Sequence, residues 1–219
     1  MNPNIINQNN SSNNSNDYGL LEQVNQCKNE YYSNQSKNML FKKSQKLELA
    51  KQMSEKIDIN HFLKNFTYNI PNTENIFIDY TIFKLFANES NYQVIINYFL
   101  DIIDYCIFTY GRYTLHLNMD SFTVSAAERY YTFLELYVSF CLIKSKTNKF
   151  LYSEKLNKFN IYNPPNVLDM IHKILKKVIQ KEVNEKIVVI PKKESKEALE
   201  NILNFQNVSS LPYSENNEG

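Results

Sequence analysis

Hydrophobic positions along this chain fall into two periods, and the switches between them mark out the elements. Asn91–Tyr110 carries Tyr92, Ile95, Ile96, Phe99, Ile102, Ile103, Cys106 and Tyr110 on one helical face, with Gln93, Asn97, Asp101 and Asp104 on the other. This spacing predicts an amphipathic helix. Gly111 stands just past its end, where glycine accepts the left-handed cap conformation. Asn75–Tyr80 (NIFIDY) and Tyr113–Asn118 (YTLHLN) alternate apolar and polar residues, as half-buried strands do. Asn160–Tyr162 reads as a short strand, and Lys186–Ile190 (KIVVI) as a continuous apolar strand of the kind buried in a parallel sheet.

The remaining periodic segments are helical. Leu40 to Leu63 reads as one or two amphipathic helices through Leu47, Leu49, Met53, Ile57 and Phe62. Ser125 and Glu128 form a capping box that opens a helix through about Ile143. Two stripes run along it, one of Tyr130, Leu134, Tyr137 and Cys141, the other of Phe133, Leu136 and Phe140. That helix is expected to be covered on more than one side. After Pro164–Pro165, Asn166 is predicted to cap a helix to about Gln180. Its apolar face holds Val167, Leu168, Ile171, Ile174, Leu175, Val178 and Ile179; Lys173, Lys176, Lys177 and Lys181 hold the other. Ser195 is predicted to cap a last helix. Strand and helix alternate from Asn75 onward, which predicts an α/β fold with a mixed, largely parallel sheet flanked by helices. Helices 125–143 and 166–180 carry more apolar surface than such a sheet face needs.

Composition divides the chain further. Residues 1–38 are rich in Asn, Ser and Gln and are predicted to be a disordered tail, because so little apolar surface cannot offset the entropy of ordering. Residues 39–70 are the helical segment, and 71–219, beginning at Pro71, the main domain. The 219 residues suit one sizeable core, and a net charge of +1 gives no long-range field for nucleic acid, which is not an expected partner. Cys27, Cys106 and Cys141 are odd in number and unpaired in pattern, as reduced thiols of a cytoplasmic monomer would be. No apolar run reaches the ~18 residues that span a bilayer.

Chemistry is sparse. With only Gly19, Gly111 and Gly219, no phosphate-binding glycine loop can form, and no GxSxG is present. His61, His116 and His172 are isolated, without metal-ligand spacing. No metal, cofactor or catalytic residue is expected. The enzymatic alternative is a Cys141–His116 dyad, but both lie in apolar stretches where a thiol is inert.

Leu151–Pro165 (LYSEKLNKFNIYNPP) resembles the signature of CRAL-TRIO domains, the lipid-binding family of the yeast phosphatidylinositol/phosphatidylcholine transfer protein. There Tyr-Pro-Glu-Arg-Leu-Gly-Lys leads into a strand ending Asn-Ala-Pro. Tyr152, Glu154, Leu156, Lys158, Asn163 and Pro165 fall on family positions, with Lys155 replacing Arg. HLNMDSFTVS (116–125) is similar to the family strand Asp-Leu-Lys-Gly-Leu-Ser-x-Ser, and Leu211–Pro212 to its closing Leu-Pro. Asn118, Ser121, Ser153 and Asn157 depart from the family's Asp, Gly, Pro and Gly.

The resemblance implies a hydrophobic pocket between sheet and helices, with Phe133, Leu136, Phe140 and the 166–180 helix as wall and gate. Val167, Leu168, Ile171, Ile174, Leu175 and Val178 would face the ligand, a lipid or other hydrophobic small molecule. Lys173, Lys176, Lys177 and Lys181 would dock transiently on an anionic membrane. Glu154 and Lys186 fall where phosphoinositide-binding members hold the headgroup. The alternative is a non-catalytic protein-interaction module with the same fold and a filled pocket.

Overall fold

Residues 13–34 and 42–208 are described by the computed structural model. Three helices lead the chain: α1 (Asn13–Asn34), α2 (Lys42–Lys56) and α3 (Ile59–Phe66). The sheet follows as β1 (Thr67–Asn69) and β2 (Asn75–Asp79), then α4 (Tyr80–Phe86), α5 (Tyr92–Tyr110) and β3 (Tyr113–Asn118). Next come α6 (Val124–Arg129), α7 (Tyr131–Asn148), α8 (Tyr152–Lys155) and β4 (Leu156–Tyr162). The chain continues through α9 (Leu168–Leu175), α10 (Lys181–Asn184), β5 (Ile187–Val189) and α11 (Lys192–Val208). The sheet order is β1-β2-β3-β4-β5, with β1 antiparallel to β2 and all other neighbours parallel. The mixed, largely parallel α/β sheet read from the sequence is therefore present.

Its topology decides where a site can form. Three successive parallel crossovers join adjacent strands in one direction, and the right-handed rule puts all their helices on one face. Ile78, Leu117 and Ile161 stand in register on that face, and Phe77, His116 and Asn160 on the other. α5 supplies the centre of the core through Ile95, Ile96, Leu100 and Ile103, all buried. Gly111 caps it at φ 78°, as its position predicts.

The N-terminal expectation needs correction. Asn13–Asn34 is a helix, and Leu20, Val24, Cys27 and Tyr31 are buried in the core. These four recur at intervals of four, three and four, enough for a narrow helical stripe that the surrounding Asn and Gln hide from a composition-based reading. Lys56 on α2 also pairs with Glu30 on α1 at 2.6 Å. The rest of the expected tail, 1–12 and 35–38, lies outside the described residues. Nor does the main domain start at residue 71, because β1 already pairs with β2.

Smaller differences have local causes. Thr123, not Ser125, accepts from the Ala126 amide and caps α6. The expected helix from 125 is broken at Tyr130 into α6 and α7. Leu136, Leu142 and Ile143 are exposed, so α7 is not covered on every side. The expected 166–180 helix is only α9, ending at Leu175; Asn166 does not cap it. Extending it would set Lys173 and Lys177, and Lys177 and Lys181, four residues apart, a like-charge spacing that destabilises helices. β5 is an edge strand with Val188 and Val189 43% and 42% exposed, not a buried central one.

Candidate functional site

A cavity of about 510 Å³ lies between the helix-covered sheet face and the helices above it. Ile78, Leu115, Leu117, Phe159, Ile161 and Ile187 form its floor, all presented on one face by strand alternation. Phe133, Leu134, Tyr137, Val138 and Cys141 of α7 form one wall. Leu168, Ile171 and Leu175 of α9, with Val178, Ile179 and Val183 after it, form another. The volume falls in the ~300–1,000 Å³ range of small-molecule sites.

Polar groups gather at the ends. Tyr80, Met119 and Phe122 stand beyond the carboxyl ends of β2 and β3, with Tyr130 beside them. At the α9–α10 side, Asp169, His172, Gln180 and Asn184 line the cavity, and His172 Nε2 lies 2.7 Å from Asn184 Oδ1.

Of the nine wall and gate residues expected from the sequence, the cavity takes Phe133, Leu168, Ile171, Leu175 and Val178. Four lie elsewhere. Phe140 packs against the core away from the cavity lining, and Leu136 and Val167 are exposed. Ile174 is half-buried off the cavity. Of the two apolar stripes, the cavity takes all of Tyr130, Leu134, Tyr137 and Cys141 but only Phe133 of the other. Floor residues Leu115 and Leu117 were missed as site residues, although the alternation of β3 already separates them from His116 and Asn118.

Lys186 and Glu154, the two expected headgroup residues, meet through the main chain. Lys186 Nζ donates to the carbonyls of Ser153 (2.7 Å), Glu154 (3.4 Å) and Leu156. Its three N–H groups are thus committed to the turn that starts β4. The Glu154 carboxylate is exposed. Tyr152 anchors the same turn: its hydroxyl donates to Asp104 Oδ1 at 2.6 Å, while its carbonyl accepts from the Tyr113 hydroxyl at 3.0 Å. Asn163 takes φ 49°, a left-handed conformation that suits Asn, and its amide donates to Ser195 Oγ at 2.8 Å.

Lys173, Lys176 and Lys177 are exposed on and just after α9. Lys181 has moved to α10 and lies 3.8 Å from Glu185. Met170, on the same helix as Lys173, is 54% exposed. No described helix is long and apolar enough to cross a membrane.

The Cys141–His116 dyad does not form. Cys141 lines the cavity, and burial pushes its thiol up to about 12. His116 lies on the opposite sheet face, where burial pulls its imidazole down to about 4. Its Nδ1 is 2.9 Å from the Tyr162 hydroxyl and its Nε2 3.1 Å from Asn75 Oδ1. Among the described residues no group of three His, Cys, Asp or Glu could hold a metal ion.

Residues 131–212 match the family model of the CRAL/TRIO domain, a segment well under half of the chain. Within the described residues this segment runs from α7 to α11. The expected closing Leu211–Pro212 falls outside them. No curated protein matches the chain.

Proposed function

We propose that this chain, whose segment matching the CRAL/TRIO domain builds two walls and half the floor of the cavity, binds one lipid or other hydrophobic small molecule. The apolar cavity carries the reading. A ligand there exchanges water for Leu115, Leu117, Phe133, Phe159, Ile171 and their neighbours, at about 0.8 kcal/mol for each methylene buried. α9 is the gate: it is two turns long, borders the cavity through Leu168, Asp169, Ile171, His172 and Leu175, and carries exposed Met170 on its outer side. Outward movement of α9 would open the wall, and Lys173, Lys176 and Lys177 would favour an anionic bilayer as the place where that happens. In this reading the chain carries its ligand between membranes without covalent chemistry.

A filled-pocket interaction module fits less well. Tyr80, Phe83, Phe133 and Tyr137 line open space instead of plugging it. Lys186 is proposed as a strut of the β4 turn, not as a headgroup ligand, because its donors are already engaged.

The test is native mass spectrometry of the purified protein, followed by titration with a fluorescent fatty acid. A co-purifying hydrophobic molecule, or saturable one-to-one uptake, is expected. Neither appearing would sink the carrier reading.

A further inference from the structure

Arg129 ends α6 next to Tyr130, which lines the cavity. The chain contains two arginines; the other, Arg112, is paired with Glu74. Among the described residues Arg129 forms no ion pair; its side chain hydrogen-bonds Tyr130, but its Nε is buried without a hydrogen-bond partner. A buried guanidinium Nε without an acceptor is costly unless something else completes it.

Its surroundings are phenolic. The guanidinium carbon lies 5.4 Å from the Tyr130 ring centre, and that ring lies 6.2 Å from Tyr80, a second lining residue. Among the described residues the Tyr80 hydroxyl has no hydrogen-bond partner. Burial raises the pKa values of Tyr80, Tyr92 and Tyr130, and Arg129 opposes each rise. These phenols therefore stay neutral and can donate. Glu89, which acts on Tyr92, is exposed and not bonded to Arg129. α7 begins at Tyr131 with no side-chain cap, so the positive end of its dipole points to the same corner. This corner lies outside the carboxyl ends of β2 and β3, where open α/β sheets place their ligands.

We propose that Arg129, with the Tyr80 and Tyr130 hydroxyls, binds the anionic headgroup of an amphiphile whose apolar chain occupies the cavity. The ligand class is thereby narrowed to a carboxylate or phosphate on an apolar tail. A planar guanidinium takes either oxyanion through two parallel N–H bonds. The proposal rests on the cavity-binding reading above and adds the charge of the ligand to it.

The full chain is titrated with oleate, with oleyl alcohol and with acetate. Oleate is expected to bind about 10- to 150-fold more tightly than the alcohol, the preference that one charge-assisted contact supplies. Arg129→Gln is expected to erase the preference, and Arg129→Lys to restore part of it. Equal affinity of the wild-type chain for oleate and alcohol overturns the proposal without any variant, so a poorly folding substitution does not shield it. A preference that survives Arg129→Gln overturns it as well. Acetate binding as tightly as oleate would make Arg129 a free-anion site and end the amphiphile assignment. If the wild type binds neither oleate nor the alcohol, the cavity reading fails and this one with it.

Discussion

His172 on α9 and Asn184 on α10 are joined by a hydrogen bond, Nε2 to Oδ1 at 2.7 Å, and both residues line the cavity. The bond holds the proposed gate against the segment that follows it. Because it is exposed, its worth is that of an ordinary hydrogen bond, about 0.5–1.5 kcal/mol. His172→Ala is expected to speed release of a bound fluorescent fatty acid roughly two- to tenfold, with little change in melting temperature. Stopped-flow displacement reads the rate, and an unchanged one would show that α9 is not the gate.

α1 supports the fold from the start of the described chain. Leu20 is fully buried, so Leu20→Ala removes packed volume and leaves a cavity, costing about 2–5 kcal/mol. For a chain of this size that corresponds to a fall in melting temperature on the order of 5–15 °C. Leu21, 50% exposed on the same helix, is the control. Equal melting curves for Leu20→Ala and Leu21→Ala would contradict the docking of α1.

Lys186 separates a strut from a headgroup ligand. Lys186→Met removes the donors to the Ser153, Glu154 and Leu156 carbonyls, and is expected to cost about 1.5–3 kcal/mol in urea unfolding. Oleate affinity of the folded variant should stay within about twofold. A stable variant with weakened binding to anionic ligands alone would return Lys186 to the headgroup role.

His116 gives the fold a pH dependence of known sign. Its folded pKa, about 4, lies below the usual 6.5, so between these values the unfolded chain binds more protons. Stability therefore falls as pH drops from about 6.5 toward 4, by on the order of 3 kcal/mol from this residue. His116→Gln is expected to remove that part of the slope between pH 7 and 4, measured by urea titration at several pH values. A slope identical to wild type would mean that the imidazole is not held neutral.

The exposed lysines of the gate are tested together. Replacing Lys173, Lys176 and Lys177 by Glu is expected to abolish sedimentation with vesicles rich in phosphatidylserine, at about 1 kcal/mol lost per charge removed near the surface. Wild-type sedimentation should weaken as salt rises. Equal binding to neutral and anionic vesicles would leave the lysines as a solvated surface.

Periodicity was legible wherever burial was one-sided. α5, β2 and β3 appear within a residue of their predicted limits, because alternating or helical spacing leaves one phase to choose. α4 was not seen, since Tyr80–Phe86 is too short to show a period and its cap, Asp79, is also the last residue of β2. Leu136 and Phe140 were assigned to the pocket because α7 is apolar on several sides, and only tertiary packing selects which side faces the cavity. Arg129 carried no signal at all. A single arginine after two alanines and a glutamate reads as helix surface until the phenols beside it are placed.

Spatial order and chain order coincide in this sheet, and this governs how the protein is made. As the chain leaves the ribosome, each strand after β1 finds its partner already laid down at an open edge, so no strand waits for a later neighbour. The floor, by contrast, stays unfinished until Ile187 is synthesised, after α7 and α9 have both emerged. On the proposed reading, a ligand is therefore enclosed only after β5 has joined the sheet.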